Sequence, residues 1–227
     1  MLANKYSKPY NNNVFFKRLR LDIAAAKKND PSARNKFEVW LTYSGVHALS
    51  WHRFANRLYK MHLKLLARIT SQMCRFFTGI EIHPAAKIAA GVFIDHGHGV
   101  VIGETAEIGT GTVLYQGVTL GGTGKDTGKR HPTIGENCII SAGAKVLGAI
   151  TVGDGAKIGA GAVVLKDVPA NATAVGVPAR IVRIDGRRPD ANAERRDPYL
   201  VEICALRERA FALEERIKRL EEEDENL

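Results

Sequence analysis

The chain has 227 residues, 45% of them hydrophobic and 25% charged, which excludes a mainly disordered polymer and leaves room for one domain with attachments or two small ones. Three scattered cysteines, Cys74, Cys138 and Cys204, are too few and odd in number for a disulfide framework, so a reducing compartment, the cytoplasm, is expected. The net charge of +9 is uneven: residues 1–80 hold 15 Lys and Arg against 3 Asp and Glu, so the remainder is net acidic.

The polar start, MLANKYSKPYNNN, carries no secretory core, and no apolar run reaches transmembrane length, so no membrane partner is expected. The basic excess of the front segment lacks an aromatic-rich binding pattern. It reads as a solvated helical face, without a nucleic-acid partner.

Residues 1–13 read as a flexible lead-in and 14–79 as a helical domain. Phe15, Leu19 and Ile23 recur every four positions, and the pattern stops before Asp30-Pro31. A second run passes through Phe37, Leu41, Tyr43, Val46, Leu49 and Trp51, and a third through Leu58, Met61, Leu65, Ile69 and Met73. Three amphipathic helices are expected, with Trp40, Trp51, His47 and His52 in core or capping roles.

From Ile82 an aliphatic residue returns every sixth position: Ile82, Ile88 and Ile94, then Ile102, Ile108, Leu114 and Leu120, then Ile134, Ile140, Val146, Val152, Ile158 and Val164. Small or β-branched residues recur four places on, as at Ala86, Ala106, Val118, Ala144 and Ala162. A period of six fits neither an α-helix nor isolated hairpins. It fits a three-sided parallel β-helix over residues 80–186, each hexapeptide supplying a short strand and a corner. Periodicity does not set the hand of the coil.

The period breaks twice. Ile94 to Ile102 is a step of eight, containing Asp95, His96 and His98; Leu120 to Ile134 is a step of fourteen, containing the loop GGTGKDTGKRHP. Solenoids place function where the repeat is interrupted, because a loop projects side chains from a rigid body. Imidazole titrates near neutrality and can move a proton, and a guanidinium can clamp a carboxylate. Lys125 and Lys129 in the second break suit a phosphorylated ligand, although GGTGK lacks the spacing of a P-loop. Residues 187–198 read as a linker. Beyond it, over 199–227, Tyr199, Ile203, Leu206, Ala210, Leu213, Ile217 and Leu220 alternate steps of four and three, the seam of a coiled coil; a helix packed on its own subunit is the other reading.

The segments IEIHPAAKIAAGVFIDHGHGVVIGETAEIG, QGVTLGGTGKDTGKRHPTIG, GAKVLGAITVGDGAKIGAGAVVLKDVP and VGVPARIV, with DPSARNKFEVWLTYSGVHAL upstream, resemble the serine O-acetyltransferase family over about residues 28–183. The resemblance implies a left-handed β-helix behind a helical domain, a homotrimer, acetyl-CoA as donor, L-serine as acceptor and L-cysteine as a feedback inhibitor, with no metal. Carried over by position, His96 matches the general base and Glu81 the carboxylate that orients it. Asp30, Asp95, Arg130 and His131 match acceptor-binding positions, and Gly121, Ala142, Lys157 and Ala160 positions along the acetyl-CoA groove. Three departures stand out, the third a shorter front domain. Glu81 is one methylene longer than the family aspartate, and the chain ends ENL, without the isoleucine that longer members insert into O-acetylserine sulfhydrylase, so that complex is not expected. The shorter front domain favours a trimer over a hexamer.

Three other readings stay open. One is a hexapeptide acetyltransferase with a different hydroxyl or amine acceptor. The second is a γ-type carbonic anhydrase, with His96, His98 and His131 converging on zinc, although position 136 is Glu136 where a third histidine belongs. The third is a non-enzymatic trimeric scaffold.

Overall fold

The computed structural model describes residues 12–124, 127–188 and 198–224; Lys125, the N-terminal lead-in before 12 and the linker positions 189–197 lie outside them. The described residues form two units, one ending at Arg187 and one beginning at Arg188.

The sixfold rhythm produces a prism of three parallel sheets. One face stacks β1 (Glu81–Ile82), β4 (Val101–Ile102), β7 (Thr119–Gly121), β10 (Lys145–Leu147) and β13 (Val163–Val164). The second stacks β2 (Lys87–Ile88), β5 (Glu107–Ile108), β8 (Thr133–Ile134) and β11 (Thr151–Val152). The third stacks β3 (Phe93–Ile94), β6 (Val113–Leu114), β9 (Ile139–Ile140), β12 (Lys157–Ile158) and β14 (Ala172–Val175), closed by antiparallel β15 (Arg180–Ile184). The prism is a left-handed parallel β-helix. Ile82↔Ile102 and Ile102↔Leu120 show the register: each inward aliphatic residue sits on its counterpart one coil away. Of the thirteen periodic positions all but Ile88 are buried, making one continuous apolar column.

Among the described residues four helices, not three, precede the prism: α1 (Asn12–Asn29), α2 (Lys36–Thr42), α3 (Ser44–Lys60) and α4 (Lys64–Thr78). The second run is cut at Tyr43, which takes an extended conformation (ψ 108°) and caps both α2 and α3. The third is cut at Met61–Leu63, where His62 adopts φ +64°. The apolar faces also differ from expectation. Leu65, Ile69 and Met73 of α4 point outward, while Ala67, Ser71 and Cys74 face the prism. Small residues let α4 approach β1 closely, and the Ser71 hydroxyl donates to the Ile82 carbonyl at 2.6 Å. Trp40 and Trp51 are likewise not core residues: both are partly exposed. His47 contacts the Trp40 carbonyl through Nε2 at 2.7 Å, and His52 is buried.

The helices are tied down at defined points. Buried Asp22 of α1 pairs with Arg53 of α3 and accepts the Gly91 N–H at 2.9 Å. Desolvation raises the Asp22 pKa, and Arg53 opposes that rise. Gly45, at the start of α3, lies so close to β3 that a Cβ would overlap the Ile94 carbonyl. That contact holds the helical domain beside the first break in the repeat.

The C-terminal helix, α5 (Pro198–Asp224), is 27 residues long. No described helix is long and apolar enough to cross a membrane.

Candidate active site

The first break forms the edge between the third and first faces. After β3, Gly97 packs where a Cβ would overlap Ile80, and His96 adopts φ +52° while its carbonyl accepts the His98 N–H. This tight turn pushes the His96 side chain outward, 77% exposed, with Nε2 3.8 Å from Asp95 Oδ1. From the helical domain Asp30 arrives beside it, near enough for the imidazole charge to act on its carboxyl group. Asp30 accepts hydrogen bonds from the Tyr43 hydroxyl, from the Ser32 N–H (2.8 Å) and from the Ser32 hydroxyl (2.7 Å). Those bonds, Tyr43 first, hold its pKa below the usual carboxylate range.

The same edge continues down the prism. Gly99, Gly117, Gly143 and Gly161 stack as left-handed corners with φ between +67° and +75°, and a Cβ on Gly117 would stand 3.5 Å from the Gly143 Cα. Ala142 and Ala160 lie on successive coils of this edge, where the Gly161 N–H donates to the Ala142 carbonyl at 2.8 Å. Lys157 is exposed on β12 next to it.

The second break projects from a different edge, between the first and second faces. There Thr105 organises the returning loop: its hydroxyl oxygen accepts the Arg130 and His131 N–H groups, both at 3.0 Å, and lies 2.9 Å from His131 Nδ1. Nδ1 also accepts the Thr105 N–H at 3.2 Å, so the neutral ring carries its proton on Nε2. Burial, then the Arg130 charge, lowers the His131 pKa. Arg130 Nη2 donates to Glu104 Oε2 at 2.6 Å, and Lys129 Nζ to the Thr105 carbonyl at 2.7 Å. His83, half-buried on this edge, has its pKa lowered first by burial. Gly121 ends β7 at the root of the loop.

The chain therefore gathers Asp30, Asp95, His96, Ala142, Lys157 and Ala160 along one edge, and Gly121, Arg130 and His131 along another. A single copy does not bring the imidazole base and the arginine together, because the two breaks lie on different edges. His131 for the same reason stands apart from His96 and His98, and the described residues contain no cluster of three or more metal-ligating side chains. Within one copy Glu81 is not paired with His96. Its carboxylate lies between two guanidinium groups of α4, Arg68 at 3.2 Å and Arg75 at 3.0 Å, rather than on the His96 ring. Residue 81 lies just past Gly79 and Ile80 at the end of α4 and points away from the prism, so helix arginines reach it first.

Sequence reasoning did not single out Tyr43, Ser32, Glu104, Thr105 or His83. The fragment GETAEIG held Glu104 and Thr105 in view, but only the stacking of coils shows what they hold.

A prism with an exposed imidazole at an interrupted corner and a glycine-lined edge beneath it is that of a hexapeptide-repeat acyltransferase. Residues 131–166 match the family model for bacterial transferase hexapeptide (six repeats). A serine acetyltransferase of Bacillus licheniformis is 54% identical over 215 residues, 93% of this chain and 100% of that one. Among solved structures, the serine acetyltransferase of Neisseria gonorrhoeae in complex with serine is 41% identical, with a TM-score of 0.73, covering 76% of this chain and 70% of that one. The enzyme of Brucella abortus in complex with coenzyme A is 44% identical, with a TM-score of 0.75 and coverages of 78% and 70%. A serine acetyltransferase in complex with cysteine is 44% identical, with a TM-score of 0.76 and coverages of 77% and 68%. The chain belongs to the serine acetyltransferase family.

Proposed function

We infer that this chain transfers the acetyl group of acetyl-CoA to the hydroxyl of L-serine, giving O-acetylserine and CoA, and that it works as a homotrimer in the cytoplasm. The observation that carries the assembly is the placement of the two groups on different prism edges. Three copies related by a rotation parallel to the prism axis set one copy's first edge against its neighbour's second. The site is then shared: Asp30, Asp95 and His96 come from one copy, Arg130, His131 and Gly121 from the next. The reducing compartment agrees with the three free cysteines.

In that site His96 takes the serine hydroxyl proton as the oxygen attacks the thioester carbonyl. The tetrahedral intermediate collapses, the carbon–sulfur bond breaks, and the proton passes from His96 to the departing thiolate. Asp95 supports the imidazolium and, with Asp30, holds the substrate ammonium. Arg130 keeps guanidinium N–H groups beyond the one on Glu104 for the substrate carboxylate. The His131 Nε2–H, fixed by Thr105 on the other ring nitrogen, is a ready donor to the same carboxylate. The glycine edge with Ala142 and Ala160 lets the pantetheine arm lie flat, and Lys157 faces the CoA phosphates. Glu81, engaged by Arg68 and Arg75, is left outside the proton path.

L-Cysteine has the same ammonium and carboxylate as serine and a thiol in place of the hydroxyl, so it competes for this pocket. A serine-dependent assay of CoA thiol release, repeated with other acceptors and with added L-cysteine, tests the reading. Serine is expected to be the preferred acceptor and cysteine to inhibit; equal rates with unrelated alcohols or amines would overturn it.

A further inference from the structure

The C-terminal helix carries information that the acetyl-transfer site does not use. Over α5 the side chains of Ile203, Leu206, Leu213 and Ile217 are each more than half exposed, and with Ala210 they form one stripe. With Ile203, Ala210 and Ile217 at a, and Leu206 and Leu213 at d, the flanking positions are fixed: Glu202, Arg209 and Arg216 fall at g, Arg207 and Glu214 at e.

In a parallel, in-register pair the g residue of one helix faces the e residue of the next heptad on its partner. That places Glu202 opposite Arg207 and Arg209 opposite Glu214, opposite charges in both cases. An antiparallel pair sets g against g, and two of these three g residues, Arg209 and Arg216, are basic. Glu202, Arg207 and Arg209 have no opposite charge three or four places away in the sequence, so the helix offers them no partner of its own at that spacing. The charges complement a second copy, not the helix that bears them.

We propose that α5 packs against α5 of a second copy of this chain as a parallel, in-register coiled coil, zipped by Glu202–Arg207 and Arg209–Glu214 pairs across the seam. Phe211 falls at b, outside the seam. A helix of this length spans about 40 Å, and three heptads are marginal alone, so other contacts between copies raise its effective concentration. The proposal needs only two copies and stands apart from the acetyl-transfer reading.

The test uses the full chain carrying Cys204→Ser, which removes the exposed thiol, with single cysteines added along α5. Under mild oxidation Ile217→Cys, and independently Ile203→Cys, is expected to form a symmetric cross-link about 10-fold faster than Glu215→Cys on the outer face. Adding Arg207→Glu to Ile217→Cys is expected to slow the cross-link several-fold, and adding Glu202→Arg as well to restore it, by reversal of the pair. Equal rates at 215 and 217, or preferential linkage of Ile203→Cys to Ile217→Cys in a co-expressed mixture, would overturn it. Serine acetylation is expected to persist in every variant, so a failed cross-link with intact activity rejects the coiled coil alone.

Discussion

The Tyr43 hydroxyl donates a hydrogen bond to the Asp30 carboxylate across thirteen residues, from the break between α2 and α3 to the turn after α1. Because Asp30 also lies in the field of His96, this bond, internal to the helical domain, fixes the carboxylate that the domain presents to the prism edge. Burial, then the Asp30 bond, raises the Tyr43 pKa, so the phenol stays protonated and remains a donor through neutral pH. Tyr43→Phe keeps the ring and removes the donor. A hydrogen bond to a charged group is worth about 1.5 kcal/mol where partly exposed, so the KM for serine is expected to rise roughly 10-fold. The KM for acetyl-CoA should stay put, and steady-state kinetics with each substrate varied separately check the split. A matching rise in both would make Tyr43 a folding residue only.

His96 calls for a substitution chosen for its backbone. At φ +52° alanine would add strain, whereas asparagine accepts the left-handed conformation readily and cannot serve as a base. His96→Asn is expected to lower kcat by about 10²–10⁴-fold. Thermal unfolding should barely move, since the side chain is 77% exposed and packs nothing. A kcat within a few-fold of the parent would remove His96 from the chemistry.

The prism was legible because every sixth side chain faces a narrow interior, where only aliphatic residues fit. The helical faces were not. On α4 the large residues look like a core stripe, yet Ala67, Ser71 and Cys74 are what contact the prism, because close approach to β1 needs small side chains. The proposed site was legible at His96, Asp95, Arg130 and His131, which sit in the interruptions. It was illegible at Thr105, whose bonds to Arg130 and His131 span 25 and 26 residues and exist only because one coil stacks on the next. The three-sided winding, which puts the two interruptions on different edges of one copy, is likewise invisible in the spacing of His96 and Arg130 along the chain.

Buried His52 gives the fold a measurable response to acid. Desolvation, reinforced by the neighbouring Arg53 charge, pushes its pKa down from 6.5 to about 3. A histidine depressed in the folded state is protonated more readily in the unfolded chain, so stability is lost as pH falls below 6.5 and continues to fall toward 3. At pH 5 this one group costs about 2 kcal/mol relative to neutral pH. His52→Gln retains a side-chain donor and does not titrate. Denaturant unfolding at pH 7 and pH 5 should show the gap between the two pH values shrinking by roughly that amount in the variant. An unchanged gap would mean that the acid sensitivity lies elsewhere.

The proposed sharing of the site between copies can be tested by mixing two inactive proteins. His96→Asn spoils the edge bearing the base, and Arg130→Ala spoils the edge bearing the carboxylate clamp, so each homotrimer has three defective sites. In a mixed trimer a site is intact wherever a copy with native His96 abuts a copy with native Arg130. For equal, random mixing that arrangement arises at about one site in four, so co-expression is expected to restore about a quarter of native activity. A site built within one copy would contain one lesion in every case, and mixing would restore nothing. Arg130→Ala also frees Glu104 from its 2.6 Å partner, leaving an unpaired carboxylate near the substrate carboxylate. The double change Glu104→Gln with Arg130→Ala separates the two effects. Complementation by both forms of the clamp variant identifies the subunit boundary as the place where acetyl transfer occurs, and failure by both returns the site to a single chain.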